Sequence, residues 1–169
     1  TRPVQRRYVV GSPSSWLYFD PERPLPTRGG QTADWATCAT ETCEFTLAVP
    51  AAPESSTCPG YHQWKYGTGH WPAYGRSPAE ARAAYGAADV IYLLGAQDTG
   101  SGKGTAFSVL DTTCPARLQG PYRLQRGLAY AAYVRAKLAG STHRLMPPAA
   151  GCRHDVRCVF TSDVGRAAL

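Results

Sequence analysis

The clearest hydrophobic pattern in the chain is the continuous apolar run 90–94, which Asp89 precedes and Gly95 follows. An uninterrupted run of this length is typical of a strand that is buried on both faces of a parallel sheet. Asp98 lies just past the carboxyl end of this predicted strand, where open α/β sheets place their functional residues. Because Asp also favours turns, a turn residue is the simpler interpretation of Asp98 from this pattern alone.

The other regular patterns alternate between strands and helices. Short apolar runs predict strands at 7–10 and 142–146. Ser77 and Pro78 give a cap and a first helical position for a helix that ends near Gly86. Further helices are predicted at 122–138, with one apolar face, and in a short segment towards residue 160. This alternation predicts an α/β fold with a partial doubly wound, mostly parallel sheet that is one incomplete domain over 1–169.

A long insertion, 20–76, interrupts this alternation. Prolines and glycines recur through it and predict an extended irregular region, within which only 44–49 suggests a short strand or helical turn. A structureless segment of this length is often a lid or a binding region. Three aromatic residues in it are candidates for substrate contact: Trp64, Tyr66 and Trp71. Packing of the same rings against the sheet is an equally good interpretation.

Composition and charge exclude several classes of function. The net charge is +6, but the arginines are scattered along the chain without a basic stripe, so we expect no nucleic-acid partner. No apolar run has the length of a membrane-spanning helix. No metal or other cofactor is expected.

The cysteines indicate the compartment. Their spacing lacks the tight pairs of a zinc site. An even number of cysteines in a loop-rich chain favours disulfides, which are typical of a secreted or periplasmic protein. The spacing does not determine which cysteines pair. The six disulfide candidates are Cys38, Cys43, Cys58, Cys114, Cys152 and Cys158.

His154 is the candidate partner of Asp98. It lies in a loop past the last predicted strand, and Asp98 follows the strand before it. This is the order of acid and histidine in α/β hydrolases, where the acid orients the imidazole and the imidazole takes the proton of a nucleophile. The pairing turns both residues from ordinary loop residues into candidate catalytic residues.

The nucleophile itself is not evident. The chain has no Gly-x-Ser-x-Gly turn, and the serines of the segment 12–15 resemble turn formers more than nucleophiles. Thr1 has no acid–base partner near it in sequence and is a weak candidate for an N-terminal nucleophile. The glycine-rich segment 100–105 follows a strand, but its spacing does not match a phosphate-binding loop, so we interpret it as a flexible loop.

Several segments together resemble the late part of a group of uncharacterised α/β-hydrolase-fold proteins. The resemblance spans nearly the whole chain and lies in the segments 7–10, 13–15, 18–20, 58–61, 64–67, 92–95 with Asp98, 110–114, 119–121, 123–130, 151–155 and 160–162. The resemblance implies that Asp98 is the triad acid and His154 the triad base, and that the nucleophile elbow lies upstream of Thr1. It also implies that Cys58 and Cys114 form a disulfide, whereas the other four cysteines look like additions.

The expected function is therefore the C-terminal portion of a serine hydrolase of the esterase or acyl-hydrolase type. Its expected partners are a small-molecule or lipid-like ester substrate and an N-terminal half that supplies the serine. The isolated chain is expected to be inactive, because an acid and a base without a nucleophile or an oxyanion hole have little to act on. Two alternatives stay open: a non-enzymatic, disulfide-stabilised extracellular binding domain, and a hydrolase-fold protein without activity.

Overall fold

The computed structural model describes residues 6–38, 43–51, 57–73 and 75–169. It has mixed α/β content with six strands, of which three form a parallel sheet in the order β1–β5–β6. These strands are β1 (Arg7–Gly11), β5 (Asp89–Leu93) and β6 (Arg144–Leu145). The parallel pairing agrees with the prediction from the alternating pattern.

The central strand β5 is buried on both faces, as its continuous apolar run predicts. Val90 to Leu94 are each at most 2% exposed. Successive side chains point to opposite faces, so Val90 and Tyr92 pack on one side of the sheet while Ile91 and Leu93 pack on the other. Helices therefore lie on both faces, and the strand's carboxyl end leads into the loop that contains Asp98.

Five helices surround the sheet within the described ranges. They are α1 (Pro78–Gly86), α2 (Cys114–Arg117), α3 (Arg123–Lys137), α4 (Val156–Thr161) and α5 (Asp163–Ala168). The predicted start of α1 is confirmed, because Ser77 and Glu80 form a reciprocal capping box with proline at the first turn. None of the helices in these ranges has the length and apolar character that crossing a bilayer requires.

The long helix α3 is more deeply buried than its sequence pattern predicts. The pattern places Arg135 on the packed face, but Arg135 is exposed, whereas Arg123, Gln125 and Arg126 are at most 2% exposed. Loops cover the first turns of α3, and the buried polar side chains donate hydrogen bonds to those loops. These hydrogen bonds allow polar side chains of α3 to be buried on more than one side of the helix. The spacing of apolar residues cannot predict such burial.

The insertion contains more regular structure than its prolines suggest. It forms an antiparallel sheet in the order β3–β2–β4 from β2 (Arg23–Arg28), β3 (Gln31–Thr32) and β4 (Glu44–Ala48). Pro24 and Pro26 are two residues apart, so their backbone nitrogens face the same side of β2. This is the side that faces away from β4. The Pro26 carbonyl accepts from Ala33 on the β3 side, so the missing N–H groups do not interrupt the pairing with β4.

Three disulfides join all six cysteines, as expected for a disulfide-containing chain: Cys38–Cys43, Cys58–Cys114 and Cys152–Cys158. The second of these is the pairing that the family resemblance implies. It ties the insertion to the start of α2, beyond the loop that follows Asp98. The third closes a small ring around the loop that contains His154.

Candidate active site

Asp98 and His154 meet at the carboxyl edge of the parallel sheet. Asp98 is 1% exposed, and its Oδ2 lies 3.0 Å from Nδ1 of His154, whose side chain is 31% exposed. An ionised carboxylate can only accept hydrogen bonds, so Nδ1 is the donor and Nε2 carries the free lone pair. This tautomer is the one in which an imidazole can accept a proton from a nucleophile.

The backbone around Asp98 fixes the position of its carboxylate. Its N–H donates to the Gly95 carbonyl at 3.1 Å, and its own carbonyl accepts from Leu124 N–H, also at 3.1 Å. The first bond closes a turn at the end of β5 and the second joins that turn to the first turn of α3. Asp98 therefore closes a turn, as the simpler interpretation predicts, while its carboxylate lies beside His154; its catalytic role stays a prediction.

The loop of His154 is held at both ends. The Cys152–Cys158 disulfide links the residues that flank it, and Asp155 caps α4 by accepting from Cys158 N–H at 2.9 Å. The His154 N–H donates to the Gly104 carbonyl at 3.1 Å. The glycine-rich segment 100–105 thus forms a loop of turns that supports the histidine.

Gly95 allows the histidine loop to approach the end of β5. A Cβ at this position would lie 2.7 Å from the Cys152 carbonyl oxygen, closer than real Cβ atoms come to other atoms, and closer still to the Arg153 carbonyl. The Gln97 N–H donates to the same Cys152 carbonyl at 2.8 Å. The absence of a side chain at Gly95 is therefore part of what brings His154 to Asp98.

Arg123 adds a positive charge beside Asp98. Its Nη1 lies 3.8 Å from Asp98 Oδ1, and both side chains are 2% exposed. The guanidinium also donates to the Thr105 carbonyl at 2.8 Å and to the Ala106 carbonyl at 3.2 Å. Arg123 therefore contacts the acid with its charge and the supporting loop with its N–H groups.

The ionisation of Asp98 reflects these neighbours. Burial raises the pKa of the Asp98 carboxyl above its usual range, while the His154 hydrogen bond and the Arg123 charge act in the opposite direction. Burial likewise lowers the pKa of Arg123, and the nearby Asp98 carboxylate opposes that change. The charged form of the acid thus depends on the histidine and the arginine.

A small cavity of about 140 Å³ lies against His154. Ser12, Val159 and Phe160 also line it. Ser12 follows β1 directly, has a φ of 37°, and is 6% exposed, with no hydrogen-bond partner for Oγ in the described part of the chain. Positive φ is uncommon for serine and indicates a sharp turn at the strand end.

Among the described residues, none of the serines of the segment 12–15 forms a hydrogen bond with His154. Ser14 Oγ donates to the Val109 carbonyl at 3.3 Å and lies 3.4 Å from an Arg123 nitrogen. These contacts fit the turn-forming role predicted for the segment. Thr1, the weak candidate for an N-terminal nucleophile, lies outside the described residues.

The three aromatic candidates of the insertion take part in local packing. Trp64 and Trp71 form an edge-to-face pair with centroids 5.0 Å apart, and Trp71 Nε1 donates to the Arg76 carbonyl. The Tyr66 hydroxyl donates to Asp111 at 2.8 Å. None of the contacts found among described residues joins these three side chains to Asp98 or His154. Their role in substrate binding stays a prediction.

Sequence reasoning missed Arg123 and Trp35. Trp35 belongs to a short 3₁₀ turn (Trp35–Thr37) of the insertion and lines a large cavity beside the loop that follows Asp98. One available signal for Arg123 was its position in the first turn of a helix, where the helix dipole disfavours a cation. An arginine placed there needs acceptors from elsewhere in the fold.

In the described ranges, no three His, Cys, Asp or Glu side chains come together in a way that could hold a metal ion. Comparisons of the chain with known protein families, with curated proteins and with solved structures found no match.

Proposed function

We propose that this chain is the C-terminal portion of a serine hydrolase that cleaves an ester or a similar acyl bond. The observation that supports the proposal most directly is the hydrogen bond from His154 to the buried Asp98. The two residues follow neighbouring parallel strands, β6 and β5, in the order that α/β hydrolases use. In this proposal a serine from a segment upstream of Thr1 completes the triad.

The proposed reaction follows from the tautomer of His154. The serine oxygen attacks the acyl carbon while Nε2 of His154 takes the serine proton, and Asp98 stabilises the imidazolium that forms. The same proton then passes to the leaving alcohol, which departs as the acyl-enzyme forms. Water, activated by His154 in turn, releases the carboxylic acid and restores the serine hydroxyl.

The unpaired edge of β1 is consistent with a missing neighbour. Within the described residues β1 pairs only with β5, and Tyr8 on β1 is 49% exposed. A central strand such as β5 has no comparable exposure. In the proposed complete enzyme the strand that precedes the nucleophile pairs with this edge, which places the serine near the cavity beside His154.

The disulfides favour a secreted or periplasmic location for the proposed enzyme.

Labelling with a fluorophosphonate tests the proposal on the protein as its gene encodes it. We expect covalent labelling of one serine upstream of Thr1, and loss of labelling in His154→Ala. Asp98→Asn should slow labelling by a factor of about 10⁴, since an amide can donate to Nδ1 and favour the wrong tautomer, whereas a carboxylate can only accept. His70→Ala, which changes an exposed histidine, is the matched control and should label normally.

Two results would contradict the proposal. A folded protein that does not label at all would favour the non-enzymatic binding domain, for which the three disulfides and the 47% exposed Trp64 are the supporting features. Labelling at Ser12, abolished by Ser12→Ala, would place the nucleophile within this chain instead of upstream of it.

A further inference from the structure

A cavity of about 640 Å³ lies between the insertion and the loop that follows Asp98. This volume is within the range of small-molecule binding sites, which is roughly 300 to 1,000 Å³. Three aromatic side chains line it: Trp35 from the insertion, Phe107 from the loop, and Tyr122 at the start of α3. The cavity therefore has the apolar, aromatic walls that are typical of a site for a flat ligand.

The aromatic walls are positioned by specific contacts. Gly120 has a φ of 128°, and a Cβ there would lie 3.2 Å from the Trp35 ring, so only glycine lets this ring pack freely against the segment before α3. Trp35 also packs against Phe45 of β4, with ring centroids 5.7 Å apart. The Phe107 and Tyr122 rings are 6.2 Å apart. The cavity is thus built from the insertion and the site loop together.

The polar part of the cavity is Gln125 and Thr99. Gln125 is 2% exposed, its Nε2 donates to Thr99 Oγ1 at 2.5 Å, and its Oε1 has no hydrogen-bond partner in the described part of the chain. Leaving a buried carbonyl oxygen unpaired costs about 1 to 3 kcal/mol. The terminal torsion of glutamine is soft, so a small rotation turns this oxygen towards a donor in the cavity.

Thr99 supplies the complementary group. Its oxygen accepts from Gln125, which leaves the hydroxyl proton of Thr99 available for donation. A donor and an acceptor side by side match the C=O and N–H groups of a carboxamide. Arg126, which also lines the cavity, already donates to the Gly120 and Asp111 carbonyls. The two exposed charges of the wall, Asp34 and Arg117, have opposite signs, so they favour neither an anion nor a cation.

We propose that this cavity binds a neutral molecule in which a planar apolar ring is attached to a carboxamide group. Thr99 directly follows Asp98, and Gln125 follows Leu124, whose N–H donates to the Asp98 carbonyl. The cavity is therefore adjacent to the candidate triad acid through two chain segments. Its identification as the substrate-recognition pocket depends on the proposed hydrolase function, whereas ligand binding itself does not.

The test compares two probes of nearly equal shape in NMR titrations of this chain. Benzamide has the ring, the carbonyl and the N–H donor, whereas acetophenone has a methyl group in place of the NH₂. We expect both to shift the resonances of Thr99 and Tyr122, and benzamide to bind about fivefold more tightly, as one net hydrogen bond predicts. Gln125→Met, which keeps the length of the side chain, should make the two affinities equal.

Two variants of the insertion complete the design and do not depend on the buried glutamine. Trp35→Ala should weaken both probes by about tenfold or more through loss of an aromatic wall. Leu25→Ala removes an exposed apolar side chain of the same insertion that does not line the cavity, and should leave both affinities unchanged.

Equal affinities of the two probes for the unmodified chain would overturn the proposal, as would shifts confined to other parts of the fold or a Trp35→Ala variant that binds normally. Because no nucleophile is needed for binding, this result is separate from fluorophosphonate labelling. Probe binding without labelling would refute the hydrolase and leave the binding site standing.

Discussion

Replacing Arg123 with methionine tests whether its charge sustains the ionised Asp98. At the observed 3.8 Å, two unit charges interact by about 4 kcal/mol at an effective permittivity of 20. Removing one partner of a buried pair generally costs about 3 to 5 kcal/mol, because the other charge is left uncompensated. We expect Arg123→Met to lower the free energy of unfolding at pH 7 by an amount in that range.

The sign of the pH dependence distinguishes charge from packing. Burial already raises the pKa of Asp98 in the folded protein, so folding takes up protons there and stability falls as pH rises above the usual range of an aspartate. Without Arg123 the pKa of Asp98 rises further, and the fall extends to higher pH. Loss of the hydrogen bonds to the Thr105 and Ala106 carbonyls costs the same at every pH, so the cost of Arg123→Met should be smaller in mild acid than at neutral pH, where the Asp98 charge is left without its partner.

Urea unfolding followed by tryptophan fluorescence, repeated between about pH 4 and pH 8, measures this cost. Arg126→Met is the control, because Arg126 is equally buried on α3 and donates to loop carbonyls, but has no ion pair with Asp98. The double variant Arg123→Met/Asp98→Asn should cost less than Arg123→Met alone, since no charge remains unpaired. A cost that is independent of pH and unaffected by Asp98→Asn would refute the argument.

Two further predictions concern the contacts between the insertion and the site loop. Replacing Cys58 and Cys114 with serine should lower the free energy of unfolding by about 4 kcal/mol, because this disulfide closes a loop of 56 residues. Removing the Cys152–Cys158 disulfide, which closes a much shorter loop, should cost only about 2 kcal/mol. Equal losses of the two disulfides in calorimetry would contradict this prediction. Burial alone would raise the pKa of Asp111, but hydrogen bonds from neighbouring side chains, including Tyr66, outweigh it and lower the pKa to about 2. The ionised Asp111 thus stabilises the fold at neutral pH, and this stabilisation is lost as pH falls from the usual aspartate range towards 2. Tyr66→Phe removes one of these hydrogen bonds, so it should lower the free energy of unfolding by about 1 kcal/mol at pH 7 and make acid unfolding less steep. An acid-unfolding curve that Tyr66→Phe leaves unchanged would contradict that assignment.

The features that could be predicted from the sequence have local causes. The run 90–94 is apolar because the strand is covered on both faces, and the start of α1 is set by a cap, a proline and an acid within four residues. The position of Asp98 follows from the strand before it. The parallel arrangement of strands also follows from their alternation with helices, since parallel neighbours need long crossovers.

The features that could not be predicted depend on residues far apart in the chain. β2 contains two prolines and pairs with β4, about twenty residues later, on the edge that the prolines leave intact. Arg123 is buried because its acceptors are carbonyls of a loop that lies elsewhere in the fold. The Trp35 ring that lines a cavity packs closely against Gly120, which lies about 85 residues later in the chain. Neither hydrophobic periodicity nor residue spacing records such complementarity.

The Cys152–Cys158 disulfide has a consequence for when the site can form. His154 lies inside the small ring that this bond closes, so oxidation adds a covalent restraint to the hydrogen bonds that already hold the backbone presenting the imidazole. While its thiols are reduced, a newly made chain would lack this added restraint. For the proposed hydrolase, the final positioning of the imidazole would then be a step of maturation that an oxidising environment completes.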